Sequence, residues 1–385
     1  MTVSNKTQTA LVGSPDGAII LSDTAPLPPS QLEDEQVAVA VQAVSLNPVD
    51  TKMAGDYHTP GAISGCEFAG VVTAVGPGAA SEWGLGPGDR VSAAIMGMNP
   101  LRPSIGAFAQ HSVAPAHCLL KMRDDWGFAQ AAGLGNSWYT VAWALFHVMG
   151  LPAGPELEPL HTKHPPPARE PRISIDNPAP NGGGGKRTTV LVSGGSSSTG
   201  TCAIQLLKLA GFDVVATSSA RNFDLVRSYG ADAVFDHSSP SVAADIKAHT
   251  RNGLRLALDC ITTPDTTRLC YGAIGRTGGR YVSLDPYSEV VAASRAVVRA
   301  DWVLGPELMG EDVGWPAPHG RKGNPEAKAF CKVWNRTLQG LLDRGAIRTH
   351  PQRVRDTGLR GVLEGLDDIR EKRVSGEKLV YTLQV

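Results

Sequence analysis

An apolar, strand-like run, Thr188-Thr189-Val190-Leu191-Val192-Ser193, passes directly into Gly194-Gly195-Ser196-Ser197-Ser198-Thr199-Gly200 and then into a helical stretch. Small residues at such a junction let the backbone approach a pyrophosphate, and the unpaired N–H groups of the helix start attract its charge. The spacing departs from G-x-G-x-x-G, because Ser197 stands at the second glycine position counted from Gly195. Taken alone, the motif leaves open an ordinary strand-to-helix turn. The end of the following strand carries more information. An acidic residue there accepts hydrogen bonds from the adenosine ribose of NAD. Here the text is Thr217-Ser218-Ser219-Ala220-Arg221-Asn222, with no carboxylate before Asp224. Hydroxyls and a guanidinium suit a 2′-phosphate, so NADPH is the expected cofactor. The alternative for Arg221 is a solvated helix-start residue.

Metal and thiol chemistry is less legible. Cys66, Cys118, Cys202, Cys260, Cys270 and Cys331 lie far apart and none forms a C-x-x-C pair. Most are expected to act as small buried apolar residues. Two histidine-bearing segments stand out. Asp56-Tyr57-His58 reads as a turn with access to substrate, and His161-Thr162-Lys163-His164 as a solvated pair. Glu67, in Gly65-Cys66-Glu67, reads as a supporting carboxylate rather than a base.

These residues must be positioned by two kinds of structure. From Glu35 to Val44 the text EQVAVAVQAV alternates as a half-buried strand does. Short strands at Ala69 to Val75 and Arg90 to Ala94 follow, set off by Gly76-Pro77-Gly78 and Gly86-Pro87-Gly88. Such punctuation predicts a small barrel or strongly bent sheet. Helical spacing takes over at Trp126 to Ala132 and Trp138 to Met149. After Thr189 strands at Thr189 to Ser193, Val214 to Thr217, Ala233 to Phe235, Leu256 to Cys260 and Arg280 to Leu284 alternate with helices, among them Thr201 to Ala210 and Phe223 to Tyr229. That is the order of a doubly wound parallel sheet. The final strand-like segment, Lys378 to Leu383, is able to return to the first domain. Leu151 to Arg187, rich in proline and ending in Gly182 to Gly185, reads as a surface insertion.

The 385 residues suffice for two cores. The expected domains are 1–140 with 315–385, and 141–314 with 151–187 as a flexible insertion. A formal net charge of −1 gives no electrostatic footprint for nucleic acid or an anionic membrane. No apolar run reaches membrane-spanning length, and the first ten residues lack the order of a secretory signal. A cytoplasmic location is expected.

Asn47-Pro48-Val49-Asp50-Thr51-Lys52, Gly65-Cys66-Glu67-Phe68-Ala69-Gly70-Val71-Val72 and Gly86-Pro87-Gly88-Asp89-Arg90-Val91 resemble the N-terminal catalytic domain of the medium-chain dehydrogenase/reductase superfamily. The resemblance covers nearly the whole chain outside the proline-rich insertion. It implies an α/β protein, a GroES-like β domain plus a Rossmann doubly wound parallel-sheet domain. Zinc-dependent alcohol dehydrogenases of that superfamily use a cysteine early in the chain and a histidine before the glutamate of G-H-E. Here Asn47 and Cys66 stand in those regions, so no catalytic metal is implied. Leu46 to Lys52, Ser219-Ala220-Arg221-Asn222-Phe223-Asp224, Val303-Leu304-Gly305-Pro306-Glu307-Leu308 and Val374-Ser375-Gly376-Glu377-Lys378 resemble more closely the trans-acting enoyl reductases of fungal polyketide synthases, the lovastatin enoyl reductase type.

That closer resemblance implies which residues border NADPH. They are Val49, Asp50, Thr51 and Lys52; Ser196, Ser197, Ser198 and Thr199; Ser219, Ala220, Arg221 and Asn222; Ser283 and Leu284; Val374 and Ser375. His237 stands where the group often has a tyrosine beside the adenine. Thr140, Val141, Ala142, Trp143, Ala144, Leu145, Phe146 and His147 would line the acyl channel, with Gly305, Pro306, Glu307, Leu308 and Met309. Lys52 would hold the nicotinamide ribose or donate a proton, and Thr140 would orient either partner. The alternatives are a surface lysine and a helix-start hydroxyl. The reaction implied is NADPH-dependent reduction of an α,β-unsaturated thioester borne on the acyl carrier domain of a polyketide synthase or a synthase–peptide synthetase hybrid. A stand-alone quinone or alkenal reductase, and a non-catalytic NADPH-binding sensor, remain open at this point.

Overall fold

The computed structural model describes residues 7–55, 57–152 and 187–383. The chain packs as two compact units, Met1–Asn136 with Pro306–Val385, and Ser137–Gly305. Both seams lie earlier in the sequence than the expected 140/141 and 314/315.

The first unit is built on β1 (Thr7–Gly13), β2 (Ile19–Pro26), β3 (Gln36–Ser45), β4 (Glu67–Val75), β5 (Arg90–Ala94), β6 (His111–Pro115) and β7 (Leu119–Lys121). β1 and β2 form an antiparallel pair. The others join two C-terminal strands in a strongly connected sheet around β3. The alternation of β3 has its expected cause: Val37, Val39 and Val41 are buried while Ala38, Ala40 and Gln42 are partly exposed.

The second unit contains β8 (Thr189–Ser193), β9 (Asp213–Ser218), β10 (Ala233–Asp236), β11 (Leu256–Asp259), β12 (Gly279–Ser283) and β13 (Val298–Trp302). They form a parallel sheet in the order β10-β9-β8-β11-β12-β13. Strand order therefore reverses between β8 and β11, a switch point at whose carboxyl-terminal edge ligands bind in such sheets. Leu191, Val215, Ile246, Leu254, Ala257 and Tyr281 are among the residues packed in its core.

The chain then returns to the first unit through β14 (Gln352–Arg355) and β15 (Lys378–Thr382). β15 pairs antiparallel with β3, Val380 opposite Ser45, so the C-terminal strand completes the first sheet.

Three helical features differ from expectation. Trp126 to Ala132 shortens to Phe128–Ala131, after Gly127 as N-cap. The helix expected over Trp138 to Met149 starts at Gly135, runs to Ala142, and continues as a π-helix over Trp143–Val148. The long helices Pro325–Asp343 and Gly358–Arg370 had no counterpart in the sequence reading. The proposed insertion lies outside the described residues apart from Leu151, Pro152 and Arg187, as do Asp56 and the His161/His164 pair.

Candidate active site

In the first unit, the segment after β3 turns into the short helix Pro48–Lys52. Pro48 pre-sets the first helical φ, and the Asp50 carboxylate reaches back to accept the Asn47 N–H at 2.6 Å. Thr51 Oγ1 donates to the Pro48 carbonyl at 2.7 Å. This closure turns Asp50 into the interior and leaves Val49, Thr51 and Lys52 partly exposed. Burial pushes the Asp50 carboxyl up to about 7, and it drives the Cys66 thiol well above the usual thiol range.

Behind that helix lies a fully paired charge cluster. Glu67 Oε2 accepts from Ser45 Oγ at 2.7 Å, Asn47 Nδ2 at 3.1 Å and Lys378 Nζ at 2.9 Å. Its other oxygen accepts the Asn136 N–H at 2.8 Å. Lys378 also donates to Asn47 Oδ1 at 2.7 Å. Glu67 is 0% and Lys378 4% exposed, so this is a desolvated ion pair held by neutral donors. Glu67 thus has the supporting role read for it, whereas Lys378 had no role assigned. No sequence window joins it to Asn47.

This donor set is unsuited to a catalytic zinc. The Glu67 carboxylate is consumed by four donors, and an ammonium bonded to both Glu67 and Asn47 repels a second cation. Among the described residues the sole group of three histidine, cysteine or acidic side chains close enough to hold an ion lies elsewhere, at His117, Cys118 and Cys331. Most cysteines were expected to be small buried apolar residues, lying far apart along the chain. All are at least partly buried, but Cys118 and Cys331 meet at 3.9 Å despite lying 213 positions apart, because helix Pro325–Asp343 packs on β7. The expectation of isolated cysteines is corrected for this pair.

Val374 and Ser375 lie partly exposed in the loop that leads into β15 and Lys378. Of the proposed channel residues in this unit, Glu307 is buried and ion-paired with Arg321, Leu308 and Met309 are buried, and Pro306 is partly exposed. Tyr57 is clasped by the C-terminal segment. Its hydroxyl lies 2.7 Å from His319 Nδ1, and its ring is 5.6 Å from that of Trp315.

In the second unit, the turn after β8 is shaped by Gly194, at φ +82°, and by Gly200, where a Cβ would stand 2.2 Å from the Gly194 carbonyl oxygen. Ser197 Oγ donates to that carbonyl at 2.7 Å and accepts the Gly200 N–H at 3.0 Å. The serine that replaces a motif glycine is thus the N-cap of helix Ser198–Leu209. Ser198 Oγ lies 2.8 Å from Ser137 Oγ, which ties the turn to the helix that carries Thr140. Along that helix Thr140, Phe146 and His147 keep partial exposure, while Val141, Ala142, Trp143, Ala144 and Leu145 are buried. Trp143 and His147 stack with ring centroids 3.8 Å apart, within the π-helix.

The neighbouring strand ends at the same edge of the sheet. Ser218 is buried, Ser219 and Asn222 are partly exposed, and Ala220 and Arg221 are exposed on a single 3-10 turn. Ser219 Oγ lies 3.3 Å from His237 Nε2 at the end of β10. Asp224, fully exposed, faces Arg227 at 3.4 Å one helical turn on. Ser283 ends β12, buried and donating to the Asp285 carbonyl at 2.8 Å, and Leu284 follows it partly exposed. Gly305 is partly exposed. Sequence reading also missed Asp259, whose carboxylate ends β11 and accepts from Tyr281 Oη at 2.9 Å and from the Ile261 and Thr262 N–H groups at 3.1 Å.

Known proteins share this construction. Residues 33–124 match the alcohol dehydrogenase GroES-like domain, and residues 198–294 the domain described as zinc-binding dehydrogenase. The chain is 70% identical over 383 residues to the trans-enoyl reductase cghC of Chaetomium globosum, covering 100% of both chains. It is 48% identical over 378 residues to a trans-enoyl reductase of Gibberella fujikuroi, covering 98% of this chain and 99% of that one. Among solved structures, the CurK enoyl reductase superposes with a TM-score of 0.72 at 17% identity over 98% of this chain and 100% of the other. At that identity the likeness bears on the fold alone. No helix among the described residues is long and apolar enough to cross a membrane.

Proposed function

The chain belongs to the trans-enoyl reductases of the medium-chain dehydrogenase/reductase superfamily, and from that premise we propose that it uses NADPH to reduce the α,β-double bond of an acyl group tethered to the carrier domain of a polyketide synthase or synthase–peptide synthetase hybrid. The observation that carries this reading is the 70% identity to a trans-enoyl reductase along the full length of both chains. The absence of a zinc-compatible donor set at Asn47, Cys66 and Glu67 argues in the same direction, because alcohol oxidation on this fold uses a Lewis acid.

The residues present fit NADPH. The helix start at Ser198 and Thr199 offers backbone N–H groups to the pyrophosphate, and Gly194 and Gly200 let the turn pack closely, since a Cβ there would meet Ile261 and the Gly194 carbonyl. Ser219 and Arg221 suit the 2′-phosphate, and His237 offers an imidazole for the adenine. When bound, NADPH supplies the hydride. The chain's own residues orient the two reactants and stabilise the charge that develops on the thioester oxygen. We assign to Lys52 the nicotinamide ribose or the proton for the α-carbon, and to Thr140 the orientation of substrate or cofactor. Phe146 and His147, being partly exposed, are the better candidates for acyl contact than the buried residues before them.

The test is incubation of the purified chain with NADPH and an enoyl-pantetheine thioester. The expected result is the saturated thioester, formed in step with NADPH oxidation. Absence of that product, with the protein folded and NADPH bound, would remove the assignment.

A further inference from the structure

Apart from the groups assigned to reduction, one set of side chains has the chemistry of a binding site. β6 ends at Pro115, a single 3-10 turn carries Ala116, His117 and Cys118, and β7 begins at Leu119. Cys331 lies on the helix Pro325–Asp343. The two thiols are 3.9 Å apart, and one nitrogen of His117 with both sulfurs falls within 4.8 Å of one another. The three side chains are 1%, 2% and 0% exposed. The ring nitrogens of His117 have no nitrogen or oxygen partner and face the adjacent Cys118 thiol, while the Cys331 thiol donates to the His117 carbonyl at 3.5 Å. A buried imidazole partnered by sulfur alone, with a second thiol beside it, presents a soft donor set that suits a ligand.

The trio is held in place by other bonds. One helical turn beyond Cys331, Asn335 Nδ2 donates to the Leu119 carbonyl at 2.6 Å. A turn further, Gln339 accepts the Lys121 N–H at 2.9 Å and donates to the Lys121 carbonyl at 3.1 Å. Residues at i, i+4 and i+8 thus pin one helix face along β7 and hold Cys331 against Cys118.

We propose that His117, Cys118 and Cys331 form a buried site for a thiophilic d10 cation, Zn²⁺ or Cu⁺, that shares no residue with the Glu67–Lys378 cluster and fastens the helix to the sheet. Two thiolates bound tetrahedrally to one ion by bonds of about 2.3 Å stand roughly 3.8 Å apart, close to the separation here. A disulfide would require the sulfurs to close to about 2.05 Å. Thiolate and imidazole donors select these soft or borderline ions over Mg²⁺ and Ca²⁺. On binding, each cysteine releases its thiol proton to solvent and the imidazole enters neutral, with no change of oxidation state. Three protein donors complete a trigonal Cu⁺ site and leave Zn²⁺ one position for water.

The experiment uses the full chain, reduced and freed of metal by a chelator. It is titrated without oxygen with Co²⁺, the optical stand-in for Zn²⁺, and separately with Cu⁺ buffered by a competing ligand. A single equivalent of metal per chain is expected. A thiolate-to-Co²⁺ absorption band displaced by Zn²⁺ assigns zinc, and tight Cu⁺ uptake without that band assigns copper. Cys118→Ser and Cys331→Ser are each expected to lose the uptake while retaining NADPH binding. Failure of the reduced wild-type chain to take up either ion overturns the proposal, whether or not the variants fold. So does a band that survives in the folded Cys118→Ser/Cys331→Ser double variant.

Discussion

Glu67 and Lys378 meet where water is excluded, and each needs the other. Burying one charge alone costs several kcal/mol, while a pair surrounded by Ser45, Asn47 and the Asn136 N–H is tolerated. Lys378→Met or Glu67→Gln is therefore expected to destabilise folding by about 3–5 kcal/mol. The double variant Glu67→Gln/Lys378→Met should be markedly less destabilised than the sum of the two, as read from urea unfolding. Additive losses would show that the pair does not act as a unit. Asp50 gives a pH signature of opposite sign to an ordinary surface carboxylate. Its carboxyl rises from 3.8 to about 7 on folding, so the folded chain holds a proton that the unfolded chain has released. That contribution is present below about 4 and is lost as pH rises to about 7. Glu35, held down at about 2 by Lys328 and Lys332, acts in the reverse direction at lower pH. The prediction is thus a difference: between pH 4 and 7 the stability of the wild type falls relative to that of Asp50→Asn. A constant difference across that range would contradict it.

At the scale of elements, the proposed preference for NADPH rests on the turn after β8 and the strand end beside it. Arg221 is exposed at the first turn after β9, ahead of any carboxylate. A charge-assisted contact to the 2′-phosphate is worth roughly 1.5–3 kcal/mol. Arg221→Gln is therefore expected to weaken NADPH binding about tenfold or more and leave NADH binding unchanged, measured by calorimetry. An equal effect on both cofactors would show that Arg221 does not read the phosphate. Strands were legible in part: β3 and β8 were read from local text, whereas β1, β2, β6, β7, β13 and β14 were not. Val37, Val39 and Val41 alternate in one window, and Thr189–Ser193 is an apolar run ended by glycine, so local text carried both. The helix Pro325–Asp343 was harder, although Asn324 caps it and Ala327, Cys331, Trp334, Leu338 and Leu341 share one buried face. Its other face is strongly charged, and polar residues at Asn335 and Gln339 interrupt the apolar stripe because they bond to β7. The π-helix at Trp143–Val148 leaves no signature in residue types; Arg280 Nη2 bonds the Val148 carbonyl at its end at 2.8 Å, and His147 stacks on Trp143 within it.

At the scale of the molecule, the order of elements along the chain was legible and the closure of the first unit only partly so. The β-α alternation after Thr189 dictated a parallel sheet, and the glycine- and serine-rich turn after β8 fell at its switch point. The return of β15 to β3 was anticipated as a strand, but its cargo was not. Lys378 stands 331 positions from Asn47, and only the register of β15 brings the two to 2.7 Å. The same holds for Cys331 and Cys118. Long-range partners of this kind are set by topology, which one sequence does not spell out. Substrate choice also belongs to this scale, because a tethered acyl group brings binding energy from its carrier arm to the reacting carbons. The most direct test of the central claim compares, in one enzyme preparation with NADPH, kcat/KM for an enoyl group presented on a carrier domain and for a simple quinone. The account predicts that the carrier-bound enoyl group is reduced far more efficiently, and that Lys52→Ala lowers that activity in protein that still folds. Preference for the quinone would contradict it.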